Sequence, residues 1–424
     1  MEVYMETKAP RGTYDILPPD SAAWHYLERV LRTTAELYGY QEIRTPMFEH
    51  TELFERGVGS SSDIVSKEMY TFFDRSNRSL TLRPENTASC ARAFIEHRVY
   101  SGMLPVKWYY VGPMFRYDRP QTGRFRQFNQ FGVEVFGSRS PYLDAEVIIL
   151  LVNILSNLGL IEYELHLNSV GCPDCRTVYR EKLIAHITPA KDSLCEDCQQ
   201  RYQVNPLRVL DCKKQACHQA IEGYPTLAAN LCDNCQQHYS QVQKILGDNG
   251  VAFIHDDNLV RGLDYYTNTA FEIHIPGIGA QSAVGGGGRY DGLVEECGGP
   301  ATPGVGFAMG LERLLLALNL LDIQKGEKPG LDVFVITASD EFEALSFKLV
   351  QDLRGAGMKV DKDHNGRGLK AQMKYADRLG AALAVIIGED EVKNGQLTLR
   401  NMATGEQQGV AAVDTIQRIK EMLV

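Results

Sequence analysis

Two runs of alternating aromatic and β-branched residues, WYYVGPMFRY and QFNQFGVEVFG, flank the polar stretch DRPQTGR. Pro and Gly between two such runs predict an antiparallel hairpin with a long loop across residues 112–137. Side chains alternate along a strand, which fixes the faces of the second run. Gln130, Gly132, Glu134 and Phe136 point one way, and Phe131, Val133 and Val135 the other. A Gln and a Glu separated by Gly form a polar floor with room for a small ligand. Arg116 sits near the end of the first strand, while Arg119, Arg124 and Arg126 crowd the loop against Asp118. The result is a cationic lip over a carboxylate-bearing floor. Taken alone it reads better as a solvated hairpin edge with decorative charge, and the rest of the chain reverses that.

A chain of 424 residues predicts two or three domains. Its 44% apolar and 23% charged residues are those of an ordinary globular protein. No run approaches the roughly 18 consecutive apolar residues of a membrane span. The start, MEVYMETKAPRGTYD, lacks the basic and apolar regions of a signal peptide, so a cytoplasmic location with no membrane attachment is expected. The net charge of −10 argues against a general polyanion binder. Local basic patches can still hold nucleic acid, because contacts act within a Debye length of roughly 8–10 Å.

Along the chain, 20–39 predicts an amphipathic helix through Trp24, Leu27, Val30, Leu31, Ala35 and Leu37, capped by Asp20 or Ser21 and closed by Gly39. YQEIRTPMFEHTELF then reads as a strand ending at Pro46, which suits a sheet edge or a subunit interface. MYTFF and SLTLR, joined by DRSN, predict a second hairpin that delivers Arg83 to Thr87 at a strand-to-helix junction. Glu85 and Thr87 suit either the first turn of that helix or a substrate ammonium. Helix and strand follow over 141–170.

Eight of the ten cysteines then fall between Cys172 and Cys235: Cys172, Cys175, Cys195, Cys198, Cys212, Cys217, Cys232 and Cys235. The first two pairs match the C-x2-C-x15–20-C-x2-C spacing of zinc sites. Disulfides fit poorly in a chain without an export signal. Structural zinc and free thiols stay open, and sequence does not pair the quartets.

Further on, Arg261 precedes the strand pattern YYTNTAFEIHI, and a glycine quartet at 285–288 permits close approach of a planar or anionic ligand. GVGFAMGLERLLLAL runs from strand into apolar helix and puts Arg313 in its first turns. No G-x-x-x-x-G-K-[ST] occurs, which excludes a P-loop. From residue 330 the pattern strand, helix, strand, helix, strand, strand predicts a compact α/β domain after a KPG linker. Its segment Lys359–Arg378 carries six basic residues against three acids.

These segments together resemble the histidyl-tRNA synthetase family of class II aminoacyl-tRNA synthetases over nearly the whole chain. IRTPMFEHTELF, GPMFRYDRPQTGRFRQF and GVGFAMGLERL are similar to motifs 1, 2 and 3. LVRGLDYYTNTAFE and AVGGGGRYDGL resemble the two peptides distinctive of the histidine enzymes. The resemblance implies an α+β fold with a six-stranded antiparallel catalytic sheet over 1–170 and 246–326. It also implies a helical, Cys-rich insertion over 171–245, an anticodon-binding α/β domain over 330–424, and a homodimer. The eight cysteines lie outside the family pattern, so zinc draws no support from it.

The implied activity is histidine–tRNA ligation: L-histidine and ATP form histidyl-adenylate and pyrophosphate, and histidine passes to the 3′ end of tRNA(His). A carboxylate attacking a phosphate is anion meeting anion, so catalysis rests on charge neutralisation and positioning. By the resemblance, Arg116, Arg261 and Arg313 are catalytic, with Arg116 and Arg261 on the α-phosphate and Arg313 at the γ-phosphate end. Arg124 and Phe128 join them in holding ATP, which comes with Mg2+. Glu85, Thr87 and Gln130 hold the α-amino group, Glu134 and Tyr266 read the imidazole, and Tyr265 lines the pocket. Arg119 and Arg124 are tRNA-contact candidates. A regulatory or sensor paralogue that binds histidine or RNA without charging is the rival reading. It is expected to lack the insertion, the C-terminal domain or one of the three arginines.

Overall fold

The computed structural model describes residues 7–59, 62–204, 206–210, 212, 214–259, 265–279, 282–323 and 330–423. The chain forms two compact units, Met1–Lys325 and Gly326–Val424. In the first, the strands are β1 (Gln41–Glu42), β2 (Phe48–His50), β3 (Tyr70–Phe73), β4 (Ser79–Leu82), β5 (Val106–Phe115) and β6 (Gln127–Phe136). They continue with β7 (Glu164–Ser169), β8 (Ile254–His255), β9 (Thr267–His274), β10 (Ala283–Arg289) and β11 (Gly304–Gly310). The main sheet has the order β1-β5-β6-β11-β10-β9-β7-β8. Its six inner strands are antiparallel as expected, and a two-residue parallel strand extends each edge.

The hairpin alternation holds. Phe131, Val133 and Val135 pack beneath the helices Asp20–Leu37, Pro141–Asn157 and Leu311–Leu320 in one continuous core. Each fully buried side chain of this kind contributes about 1.5–3 kcal/mol. The Pro141–Asn157 helix is apolar nearly all round because it is covered on most sides. The Asp20–Leu37 helix buries Trp24, Leu27, Leu31 and Ala35, whereas Leu37 is exposed and Pro19, not Asp20 or Ser21, occupies the N-cap.

The strand expected up to Pro46 is cut to Gln41–Glu42, and Phe48–His50 joins a separate three-stranded sheet, β2-β4-β3. Buried Arg83 explains the break. Its Nη1 donates to the Thr45 carbonyl at 3.1 Å and to Thr45 Oγ1 at 3.0 Å, and its Nε to the Pro113 carbonyl at 2.9 Å. Those ties hold the chain at Thr45 away from the main ladder. The glycine quartet lies inside β10, where it pairs on both sides.

Between β7 and β8 lie the helices Pro173–Ile187, Glu196–Val204, Gln215–Ala220 and Asp233–Asp248. The last crosses residue 245 and sends Tyr239, Val242, Ile245 and Leu246 into the core beneath the main sheet.

The second unit is a mixed sheet ordered β13 (Val360–Lys362), β12 (Val333–Thr337), β14 (Leu383–Ile387), β15 (Gln396–Asn401), β16 (Gln407–Ala411). Apolar side chains cover both of its faces, as parallel neighbours flanked by helices require. Strand β16 and the Thr415–Leu423 helix extend the expected pattern. Lys328 and Pro329 of the expected linker lie outside the described residues.

Candidate active site

Above the polar face of β6 lies a cavity of about 410 Å³. Glu85, Thr87, Arg116, Arg124, Phe128, Gln130, Glu134, Tyr265, Tyr266 and Arg313 all line it. Five strands, the start of the Thr87–Glu96 helix and the hairpin loop supply or frame these residues. Arg119 is exposed and is not on the wall. Arg261 lies outside the described residues.

Glu134 sits at the bottom, 1% exposed. Thr87 Oγ1 donates to its Oε1 at 2.7 Å, Tyr110 reaches the same oxygen at 3.4 Å, and the Tyr290 hydroxyl donates to Oε2. Burial pushes its carboxyl up from 4.5 to about 8 in spite of these donors, and the nearby Glu85 charge pushes the same way. The seat exists because Gly306 faces it across the β6–β11 ladder: a Cβ there would collide with Glu134 Oε2 and the Val133 carbonyl. Likewise a Cβ at Gly132 would strike the Tyr110 ring.

Glu85 accepts the backbone N–H of Thr87 at 2.7 Å and of Ala88 at 2.9 Å, so it satisfies open donors at the helix start while lining the cavity. Burial raises its carboxyl above the ordinary range, against those two bonds. The Gln130 Oε1 atom is buried with no hydrogen-bond partner among the described residues. An orphan acceptor on a polar wall beside two carboxyls suits a ligand's ammonium.

The cationic side is built from separated segments. Arg116 Nε donates to the Pro84 carbonyl at 2.8 Å, and its guanidinium lies 5.2 Å from the Phe128 ring centroid. Arg313 Nη1 donates to the Ala283 carbonyl at 2.6 Å and Nε to the Gly123 carbonyl at 3.3 Å. Arg124 pairs with Asp118 at 2.8 Å. Burial lowers the Arg313 pKa, and the positive charges of Arg124 and Arg116 lower it further. Guanidinium groups close enough to repel one another, in a half-buried cavity, make a seat for a polyanion. Glu312 fixes the Arg313 helix by accepting the Asn129 N–H at 2.8 and 3.0 Å and its Nδ2 at 3.1 Å.

Tyr110, Tyr290 and Glu272 also line the cavity and escaped the sequence reading. Tyr110 was findable: in register it faces Gly132, a bulky ring opposite the one residue that admits it. Arg289, by contrast, is buried on the helix side of the sheet. Its Nε donates to Asp144 Oδ2 at 3.2 Å and its Nη2 also binds Asp144, which accepts Thr269 Oγ1 at 2.6 Å and pairs with His238 Nε2 at 2.7 Å. Burial pushes the Asp144 carboxyl up, but His238 and Arg289 outweigh it and hold it below the ordinary range. Asp144→Ala leaves the buried guanidinium with only Asp291 at 3.1 Å and the Ser138 carbonyl at 2.8 Å, both on Nη1, so urea denaturation should show a loss of about 3 kcal/mol. A loss under about 1 kcal/mol would contradict this.

Arg176, on the Pro173–Ile187 helix of the insertion, donates to the Tyr266 carbonyl at 3.0 Å and so ties that helix to the pocket wall.

The family description Histidyl-tRNA synthetase matches residues 12–314, and Anticodon binding domain matches residues 332–422. The chain is 64% identical over 419 residues to the histidine–tRNA ligase of Syntrophomonas wolfei, with 99% of each chain covered. It is 55% identical over 420 residues to that of Moorella thermoacetica, covering 98% of this chain and 99% of the relative. Among solved structures it is similar to apo histidyl-tRNA synthetase of S. aureus, at 42% identity and a TM-score of 0.84, covering 98% of this chain and 100% of the other. A cavity lined by a carboxyl floor and a guanidinium rim, on a sheet of this topology and with matches of this length, leaves one conclusion: the chain belongs to the histidyl-tRNA synthetase family.

Proposed function

We propose that this cavity carries out histidine–tRNA ligation through the following division of labour. Histidine enters with its ammonium toward Glu85, Thr87 and the unpartnered Gln130 carbonyl, and its imidazole toward Glu134 and Tyr266, with Tyr265 as a side wall. ATP lies along the guanidinium rim, with Arg116 at the α-phosphate and Arg313 at the γ end. Arg124 closes over it and Phe128 offers a ring face to adenine. Arg261 joins Arg116 at the α-phosphate by family resemblance alone. A histidine carboxylate oxygen then bonds to the α-phosphorus as the α–β bridging bond breaks, giving histidyl-adenylate and pyrophosphate. A ribose hydroxyl at the tRNA 3′ end next attacks the acyl carbon and releases AMP.

The Mg2+ that accompanies ATP neutralises phosphate charge, and Glu272 and Glu68 are the wall carboxylates suited to it. Arg119, exposed beside the rim, is a candidate contact for the tRNA acceptor end, with Arg124. In the second unit Lys359, Lys370, Lys374 and Arg378 are exposed and available to tRNA, whereas Lys362 pairs with Glu343 and Arg367 with Asp363. Among the described residues no helix is long and apolar enough to cross a membrane, and a cytoplasmic location belongs to the same reading. So do structural zinc in the cysteine-rich insertion and the domain limits 1–170 with 246–326, 171–245 and 330–424.

The observation that carries the proposal is the meeting of Arg116, Arg124 and Arg313 with Glu85, Gln130 and Glu134 in one cavity. Its test is histidine-dependent exchange of labelled pyrophosphate into ATP, followed by charging of tRNA(His). Exchange with histidine is expected. Histidine binding without exchange would favour a regulator or sensor instead.

A homodimer is part of the proposal. Phe48 and Phe72, on one face of the small β2-β4-β3 sheet, lie with ring centroids 6.3 Å apart and are exposed at 52 and 41%. An exposed aromatic pair of this kind suits a protein–protein surface. Phe72→Asp should shift sedimentation from dimer toward monomer at micromolar concentration; an unchanged dimer would place the interface elsewhere.

A further inference from the structure

The insertion brings its eight cysteines together as two separate quartets. Cys172, Cys175, Cys232 and Cys235 form one, and Cys195, Cys198, Cys212 and Cys217 the other, with all four sulfurs of each within 4.8 Å of one another. We propose that each quartet binds one Zn2+ through four thiolates, giving two structural zinc ions per chain. The pairing is nested: the outer site joins the first and last C-x-x-C pairs, and the inner site closes within that loop. The spacing that matched a zinc pattern, Cys172 to Cys198, is therefore split between two sites.

Geometry favours a single ion over the alternatives. A tetrahedron with Zn–S bonds of ~2.3 Å has edges of ~3.8 Å, which fits sulfurs gathered this closely. Cys172 and Cys175 Sγ lie 3.5 Å apart, far beyond a disulfide bond of ~2.05 Å. A multi-iron cluster interposes a larger body and spreads its thiolates further. Backbone N–H groups already point at the sulfurs: Cys232 N to Cys175 Sγ at 3.0 Å, Cys195 N to Cys217 Sγ at 3.3 Å, and Lys214 N to Cys212 Sγ at 3.4 Å. Donors of this kind orient and stabilise metal-bound thiolates. Gly171, at φ +60°, lets the chain turn where a Cβ would press on Cys175.

Zn2+ has no redox chemistry, and its role follows from location. The outer site ties the start of the Pro173–Ile187 helix to the start of the Asp233–Asp248 helix, where the module leaves and rejoins the catalytic unit. On binding, each quartet gives up its thiol protons and each ion gains four Zn–S bonds; no oxidant or reductant is needed. The insertion's short helices share one apolar cluster with the catalytic unit, and the two ions add cross-links within the insertion itself.

The test uses the full chain purified without chelator, with zinc measured by elemental analysis and native mass spectrometry. Two zinc per chain are expected, falling to one in Cys175→Ser and to one in Cys217→Ser. Co2+ exchanged into the protein should show the visible absorption of tetrahedral thiolate coordination. Zero or one zinc in the unaltered chain, an iron–sulfur chromophore, or cysteines recovered as disulfides would each overturn the proposal. Two zinc retained in both single variants would also overturn it. The proposal extends the zinc reading of the insertion and is independent of the catalytic one: a preparation that exchanges pyrophosphate with histidine but holds no zinc sinks only the metal sites.

Discussion

Arg313→Ala is expected to lower histidine-dependent pyrophosphate–ATP exchange by about 10³-fold, a loss of about 4 kcal/mol in transition-state stabilisation. The size follows from the setting. Arg313 is held by the Ala283 and Gly123 carbonyls, half-buried on the cavity wall, and already strained by the charges of Arg124 and Arg116. That repulsion is relieved only when phosphate arrives, so the site binds a polyanion more tightly than a solvated arginine would. Arg313→Lys keeps a charge but loses the planar fork and should fall between the two. Melting temperature should change little, because the two carbonyls freed lie on a wet cavity wall. Exchange within threefold of the parent would show that Arg313 does not touch the triphosphate.

Glu134→Gln is expected to have opposite effects on activity and stability. Activity should fall about 10³-fold in kcat/KM for histidine, because an amide facing the imidazole cannot replace the carboxyl and leaves buried polar groups mismatched. Stability should move the other way above neutral pH. The Glu134 carboxyl is raised in the fold from 4.5 to about 8. Below the unfolded value it is neutral in both states, and the stability that comes with the neutral form is fully present. As pH rises the unfolded chain ionises first, and that stability is lost at roughly 1.4 kcal/mol per pH unit until the folded carboxyl ionises as well. Glutamine has nothing to ionise. Thermal melts should therefore place the variant above the parent at pH 8, with the gap closing toward pH 5. A gap independent of pH would mean that Glu134 is already ionised in the fold.

The catalytic hairpin was legible because one rule governs it: alternation with period two sorts Phe131, Val133 and Val135 from Gln130, Gly132 and Glu134, and the structure sorts them identically. Arg116 and Arg313 were legible for a related reason, since one follows a strand end and the other stands at a helix start. The segment Tyr40–Pro46 was misread because its strand pattern is local, whereas Arg83 anchors Thr45 from 38 residues away. The role of Arg289 was hidden because its partner Asp144 lies 145 residues distant, on a helix whose apolar sequence gives no hint of a buried acid. The use of Gly306 was hidden because what it clears space for, Glu134, is on a neighbouring strand. The cysteine quartets could not be paired from spacing because the closer pairs in sequence belong to different sites.

A structure of the chain with a non-hydrolysable histidyl-adenylate analogue tests the central claim most directly. The account predicts the imidazole within hydrogen-bond distance of Glu134, the ammonium at Gln130 and Glu85, and the phosphoryl group at Arg116. An imidazole turned away from Glu134, or an analogue bound outside this cavity, would contradict it.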